Sequence, residues 1–271
     1  MSRTLGDVRG SGHPPPAGEA WGEGALKAVH EALDLCVGCK GCKRDCPTGV
    51  DMAKMKVEFL HHYKARYGYT LKDKLVARLP DYAHWASRFA PLLNLRDKIP
   101  GLAALSEKLT GFSAKRTLPQ WTTKTFFRQP PVSATRTEVL VAAKPVVLFV
   151  DTFNGTFESA NATAALKVLQ AAGYTTHVAT KTVADGKHLC CGRTYLASGM
   201  VSHAKAKATE LVAALLPFAQ RGIAIVGLEP SCLLTLRDEM LVMDLGDAAQ
   251  TSASTRCCLK SFWRAKQRPA S

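Results

Sequence analysis

The stretch "LCVGCKGCKRDCPTGV", residues 35–50, sets Cys36, Cys39, Cys42 and Cys46 within eleven positions and puts Pro47 directly behind the last. This spacing, C-x2-C-x2-C-x3-C-P, is the bacterial ferredoxin-type run for a 4Fe–4S cluster. Two-residue spacers fold a loop around one corner of a cube, so successive thiolates meet successive irons. Gly38 and Gly41 fall in the spacers, where a missing Cβ lets the backbone curl and turn N–H groups toward sulfide. Lys40, Lys43 and Arg44 surround an anionic core with positive charge, which favours thiolates. Zinc is the rival, but structural zinc sites usually pair two knuckles well apart in sequence, and one continuous run strains a tetrahedron. Where two such runs exist, the fourth cysteine serves the other cluster. With one run here, Cys46 either closes this cluster or belongs to a second that is absent.

A different cysteine group lies further on. Cys190 and Cys191 stand in "KHLCCGRTYLASGM", and Cys232 stands in "VGLEPSCLLTLRDE". Three thiols delivered to one edge of a sheet suggest a second metal or cluster, or a thiol–disulfide pair, against the plainer alternative of buried structural cysteine. Asp151, in "VDTF", and Glu229 are placed to offer an oxygen ligand or to orient the thiols. His61 and His62 read as solvent-facing on a basic helix, and His177 and His188 as structural or exposed.

The elements that must position these groups follow from periodicity. Residues 1–20 are rich in Gly and Pro and read as disordered. Residues 21–70 read as an all-α, ferredoxin-type domain, with an apolar helical face at Leu26, Val29, Ala32, Leu33 and Leu35. A second helix, after the cysteines, closes near Gly68. Residues 71–143 form a basic helical connector broken by prolines, with Tyr82, Trp85, Phe89, Trp121, Phe126 and Phe127 as anchors. From 144 to 249 strands alternate with helices, which predicts a parallel α/β domain and makes the whole chain α+β. Residues 250–271 read as a disordered basic tail.

Charge and composition exclude several classes. The net charge is +14 over 271 residues. Residues 61–140 carry 14 Lys/Arg against 5 Asp/Glu, and residues 251–271 carry 5 against none. The excess thus sits on a connector and a tail, without a nucleic-acid reading element, so no nucleic-acid partner is expected. No apolar run approaches the ~20 residues of a membrane helix, and the N-terminus has no signal-like apolar core. Nine cysteines without an export signal point to a reducing compartment, the cytoplasm, with a peripheral place on the inner membrane also compatible. No G-x-G-x-x-G follows any strand, so the chain has no dinucleotide or flavin phosphate cradle of that kind.

Together "LDLCVGCKGCKRDCPTGVDMAKMKVEFL", "DTFNGTFESANATAALKVLQAAGY", "LCCGR" and "IVGLEPSCLLTLRDE" resemble the iron–sulfur and cysteine-rich portion of the FAD-linked oxidases, over about residues 23–245. That family includes D-lactate and D-2-hydroxyglutarate dehydrogenases and is similar to the iron–sulfur subunit of glycolate oxidase. Its cysteine-rich part resembles the CCG domain of heterodisulfide reductases. The resemblance implies an electron-transfer module with a 4Fe–4S cluster on Cys36, Cys39, Cys42 and Cys46. It further implies FAD only on a partner domain or chain, and no complete catalysis by this chain alone. The alternative is a non-catalytic iron–sulfur protein, a remnant or a regulatory or assembly subunit, acting through its basic surface. The family's flavin domain and usual first cysteine run are not seen. The acid-free end fits no continuation of the module, so the chain reads as truncated or frame-shifted, with Cys257 and Cys258 incidental.

Overall fold

A computed structural model describes residues 23–128, 133–180, 188–259 and 261–262. Residues 1–20, expected to be disordered, lie outside the described residues. The chain begins with α1 (Glu23–Asp34), then the cysteine loop enclosing the short α2 (Gly41–Asp45), then α3 (Met52–Tyr67). Asp51 starts α3 by accepting the Lys54 N–H at 3.1 Å, and Gly68, at φ +83°, ends it. A capping box between Thr70 and Asp73 starts α4 (Leu71–Ala77). Next come α5 (Leu79–Ala86), α6 (Ala90–Leu93) and α7 (Leu102–Thr110), linked by 3-10 turns. A second capping box, Thr135 with Glu138, opens α8 (Arg136–Val141).

The grammar then becomes β1 (Pro145–Phe149), α9 (Thr152–Thr156), α10 (Ser159–Ala171), β2 (Thr175–Val178), α11 (Arg193–Ala197) and α12 (Val201–Ala219). After these come β3 (Ala224–Gly227), α13 (Pro230–Arg237), α14 (Gly246–Ser254) and β4 (Arg256–Cys258). The four strands are all parallel, in the order β2-β1-β3-β4. Val146 of β1 faces both Thr176 and Ala224. Alternation along β1 splits the core. Val146, Leu148 and Val150 pack with Leu166 and Leu169 of α10, whereas Val147 and Phe149 pack with Leu211 and Leu215 of α12. Each such buried aliphatic side chain contributes roughly 1.5–3 kcal/mol. The sheet is therefore sandwiched between helices, and the overall class is mixed helix and sheet, as expected.

The end of the chain differs from expectation. Residues from 250 onward do not begin a structureless tail: α14 continues to Ser254 and β4 pairs along β3, Val226 with Cys257 and Gly227 with Cys258. Small side chains allow it, since Ala249 and Ser252 of α14 are buried against the core. Cys258 packs, partly buried, against the core. Residues 263–271 lie outside the described residues.

The N-terminal helices are fastened to the α/β layers. Thr194 donates to the Ala77 carbonyl at 2.9 Å, and Asp81 takes hydrogen bonds from Tyr195 and from Lys207, the latter at 2.7 Å. His61, expected to face solvent, pairs its Nδ1 with the Gly199 carbonyl at 3.1 Å and so ties α3 to the turn before α12. His62 does face outward, beside Glu58. Of the anchoring aromatics, Phe126 is buried and Trp121 packs on Phe157, but Trp85 and Phe89 stay exposed.

Candidate functional site

The first cysteine loop is curled by two residues in the left-handed region, Gly38 (φ +68°) and Lys40 (φ +60°). Gly41, expected to share that task, instead starts α2. The loop is held at its start by the Lys56 ammonium, which donates to the Cys36 carbonyl at 2.8 Å. At its end the Cys46 N–H bonds the Cys42 carbonyl at 2.8 Å, and Gly49 N–H bonds the Cys46 carbonyl at 3.0 Å. Two of the sulfurs already lie against donors. Cys42 Sγ accepts the Met52 N–H at 3.4 Å, from the first turn of α3, and Cys46 Sγ sits 3.0 Å from the Thr48 hydroxyl. The Thr48 hydroxyl, followed by the backbone N–H groups of Val50, Thr48 and Gly49, pulls the Cys46 thiol below its ordinary pKa. Cys39 is exposed, with the Arg44 cation nearby.

The second group lies at the carboxyl edge of the sheet. β1 is central; the chain leaves it for β2 on one side and then crosses back to β3 on the other. The edge between β1 and β3 is therefore a topological switch point, where open α/β sheets form a crevice. Asp151 follows β1, Cys190 and Cys191 follow β2, and Glu229 and Cys232 follow β3. The donating strands are not neighbours, since β1 separates them, yet the loops converge. The Cys191 thiol neighbours the thiols of both Cys190 and Cys232. Hydrogen bonding to Cys191, then burial, pushes the Cys190 thiol far up. Cys191 is also raised: its bond with Cys190 acts downward, but the bond with Cys232 and complete burial outweigh it.

Both carboxylates at this edge are already engaged. Asp151 caps α9, accepting from the N–H groups of Phe153 (2.9 Å) and Asn154 (3.1 Å) and from Asn154 Nδ2 (2.7 Å). Burial nevertheless raises its pKa above the carboxylate norm. Glu229 caps α13 through Ser231. Both are positioned by these caps, Glu229 through Oε1 alone. Gly192 turns the loop at φ +81°, and a Cβ there would stand 2.8 Å from the Ala204 carbonyl oxygen of α12. Its N–H reaches Cys190 Sγ at 3.3 Å. The Thr152 hydroxyl lies against Cys190, buried and without a well-formed hydrogen bond. His177 bonds the Ala134 carbonyl at 3.0 Å, and His188 stacks on Phe127 with its Nε2 buried and without a hydrogen-bond partner.

The donor chemistry suits metal–sulfur coordination at both places. The first run offers four thiols with N–H and O–H groups already aimed at two of them, and the second offers three thiols beside an unsatisfied hydroxyl. Among the described residues no group of three or more His, Cys, Asp or Glu is already arranged around a single ion, so coordination requires the loops to close.

Ionic contacts that sequence reading missed join the two groups. Asp238, at the end of α13, meets Lys40, Lys43 (3.2 Å) and Lys54 (2.7 Å). Partial burial acts to raise its carboxyl, but these lysines hold it far below the usual range. The neighbouring Glu239, only 3% exposed, meets Lys40 at 3.0 Å and also Arg193. Residues 238 and 239 stand in the quoted "LRDE", but nothing local marks partners some 200 positions away.

Fold and site thus define a protein of mixed helix and sheet with a ferredoxin-spaced cysteine run docked beside a cysteine-lined sheet edge. The chain is similar to proteins named D-2-hydroxyglutarate dehydrogenase. Identity is 27% over 228 residues with that of Pantoea ananatis, covering 81% of this chain and 21% of that protein. It is 28% over 227 residues with that of Pseudomonas putida, covering 78% and 21%. With that of Haemophilus influenzae it is 33% over 85 residues, covering 31% and 8%. The chain spans about a fifth or less of the length of these curated relatives. No family model matches it, and no solved structure matches it significantly. Among the described residues no helix is long and apolar enough to cross a membrane.

Proposed function

We propose that this chain is the iron–sulfur electron-transfer module of a flavin-dependent 2-hydroxyacid dehydrogenase. The observation that carries the reading is the four-thiol run, with donors already at Cys42 and Cys46, in a chain whose relatives bear a 2-hydroxyacid dehydrogenase name. Cys36, Cys39, Cys42 and Cys46 would hold a 4Fe–4S cluster, which takes up and releases single electrons.

The chain's own residues have definable tasks. The four cysteines bind as thiolates, with the Arg44 cation near Cys39. Met52 N–H and the Thr48 hydroxyl lower the charge density on two sulfurs. Exposed Leu35 and Val37 flank Cys36 and form an apolar rim that a flavin-bearing domain or subunit can cover. Cys190, Cys191 and Cys232 form a second ligand set, and a metal entering there must displace the thiol protons. The substrate site and FAD are assigned to the partner, in keeping with the absence of a G-x-G-x-x-G loop from these 271 residues.

The experiment is a reductive titration of anaerobically reconstituted chain with photoreduced flavin. The expected result is bleaching of a broad visible absorbance by about one electron per chain. A coloured protein that reduced flavin leaves unchanged would overturn the electron-transfer role.

A further inference from the structure

We propose that Glu239 is a positioning residue that locks the two cysteine groups into one mechanical unit. The inference deepens the reading above and rests on its assignment of both cysteine groups as ligand sets. Glu239 lies just beyond α13, the helix that carries Cys232, and its carboxylate is buried. One oxygen, Oε1, serves both cations: Lys40 Nζ from inside the Cys36–Cys46 run, at 3.0 Å, and Arg193 Nη1, two residues after Cys191. The same guanidinium lies over Gly38, where an added Cβ would meet Arg193 Nη2 at 3.2 Å. Gly38 is a spacer between Cys36 and Cys39, so Arg193 touches the first loop directly while its backbone continues from the second.

The arrangement is selective. Asp238 collects Lys40, Lys43 and Lys54, all from the N-terminal part, and so only fastens the first loop to α13. Glu239 alone of the pair also holds a cation from the Cys190–Cys191 loop. A buried carboxylate shared by two cations is costly to strip of either, because the remaining charges lose compensation in a poorly solvated place. Motion of one cysteine loop must therefore disturb the contact that orients the other, which is the physical content of coupling between sites.

The test is amide hydrogen exchange on the metal-free full chain, so it does not depend on any cofactor. Lys40→Met should speed exchange of residues 190–197 by about tenfold, and Arg193→Met should do the same for residues 36–46, as loss of a charged hydrogen bond implies. Glu239→Gln should accelerate both segments, while Lys40→Arg, which keeps the cation, should restore protection at 190–197. A purely local effect, each variant loosening only its own loop, would overturn the coupling. Should Glu239→Gln fold poorly, the two cation variants decide the matter. Iron analysis of the same preparations after reconstitution separates the outcomes. Wild-type chain that takes up no iron removes the functional reading, whereas absent cross-site exchange removes only the role of Glu239.

Discussion

Cys39 is the exposed member of its run, and it shows how little at the residue scale is needed for the proposed chemistry. A serine there keeps the shape but offers a poor ligand for iron. Cys39→Ser should lose the visible absorbance of reconstituted protein, with iron content falling to a small fraction of wild type; full retention would place the cluster elsewhere. Asp238 gives a second prediction, set by pH. Its folded-state carboxyl is held low by three lysines, so its stabilisation is present above the ordinary carboxylate pKa and fades as pH falls below it. Metal-free Asp238→Asn should therefore be less stable in urea at pH 7 by about 1–2 kcal/mol after allowance for solvent screening. Near pH 3, where the unfolded chain protonates this carboxyl while the folded chain still holds it ionised, the gap should narrow. An equal gap at both values would show that the ion cluster is not its source.

At the scale of elements, the loop between β2 and α11 is shaped by Gly192. Its positive φ disfavours any side chain, and Ala204 leaves no space for one. Gly192→Ala should cost about 2–4 kcal/mol, from left-handed strain together with displacement of α12. Thermal unfolding checks this, and an unchanged midpoint would mean the loop can re-route. Legibility also divides at this scale. The apolar run "VVLFV" marked β1, and the amphipathic stretches marked α3, α10 and α12, because burial writes a period into sequence. β4 escaped, since three residues pairing at a sheet edge need only backbone. His61 escaped too: its partner is a carbonyl 138 positions away, and a histidine on a basic helix looks the same whether or not such a carbonyl arrives. The cysteine spacings were legible because coordination demands them. The Lys40–Glu239–Arg193 contact was not, because its members share no spacing.

For the whole molecule, the relevant fact is that the chain spans about a fifth or less of its relatives. The isolated chain should oxidise neither D-2-hydroxyglutarate nor D-lactate with an added dye, and should retain no flavin through gel filtration. Steady turnover by the pure chain would place the substrate site within these residues. The sheet's order also has a consequence at this scale. With β1 between β2 and β3, the thiols meet only because the crossover through α12 returns the chain past β1, so the second cysteine group depends on the entire α/β layer.

The central claim is that the run from Cys36 to Cys46 holds iron and sulfide. The most direct measurement is metal and sulfide analysis of full chain purified without oxygen after expression with ample iron. The account predicts brown protein with about four iron and four sulfide per chain in the first site. Colourless protein carrying stoichiometric zinc and no sulfide would contradict it.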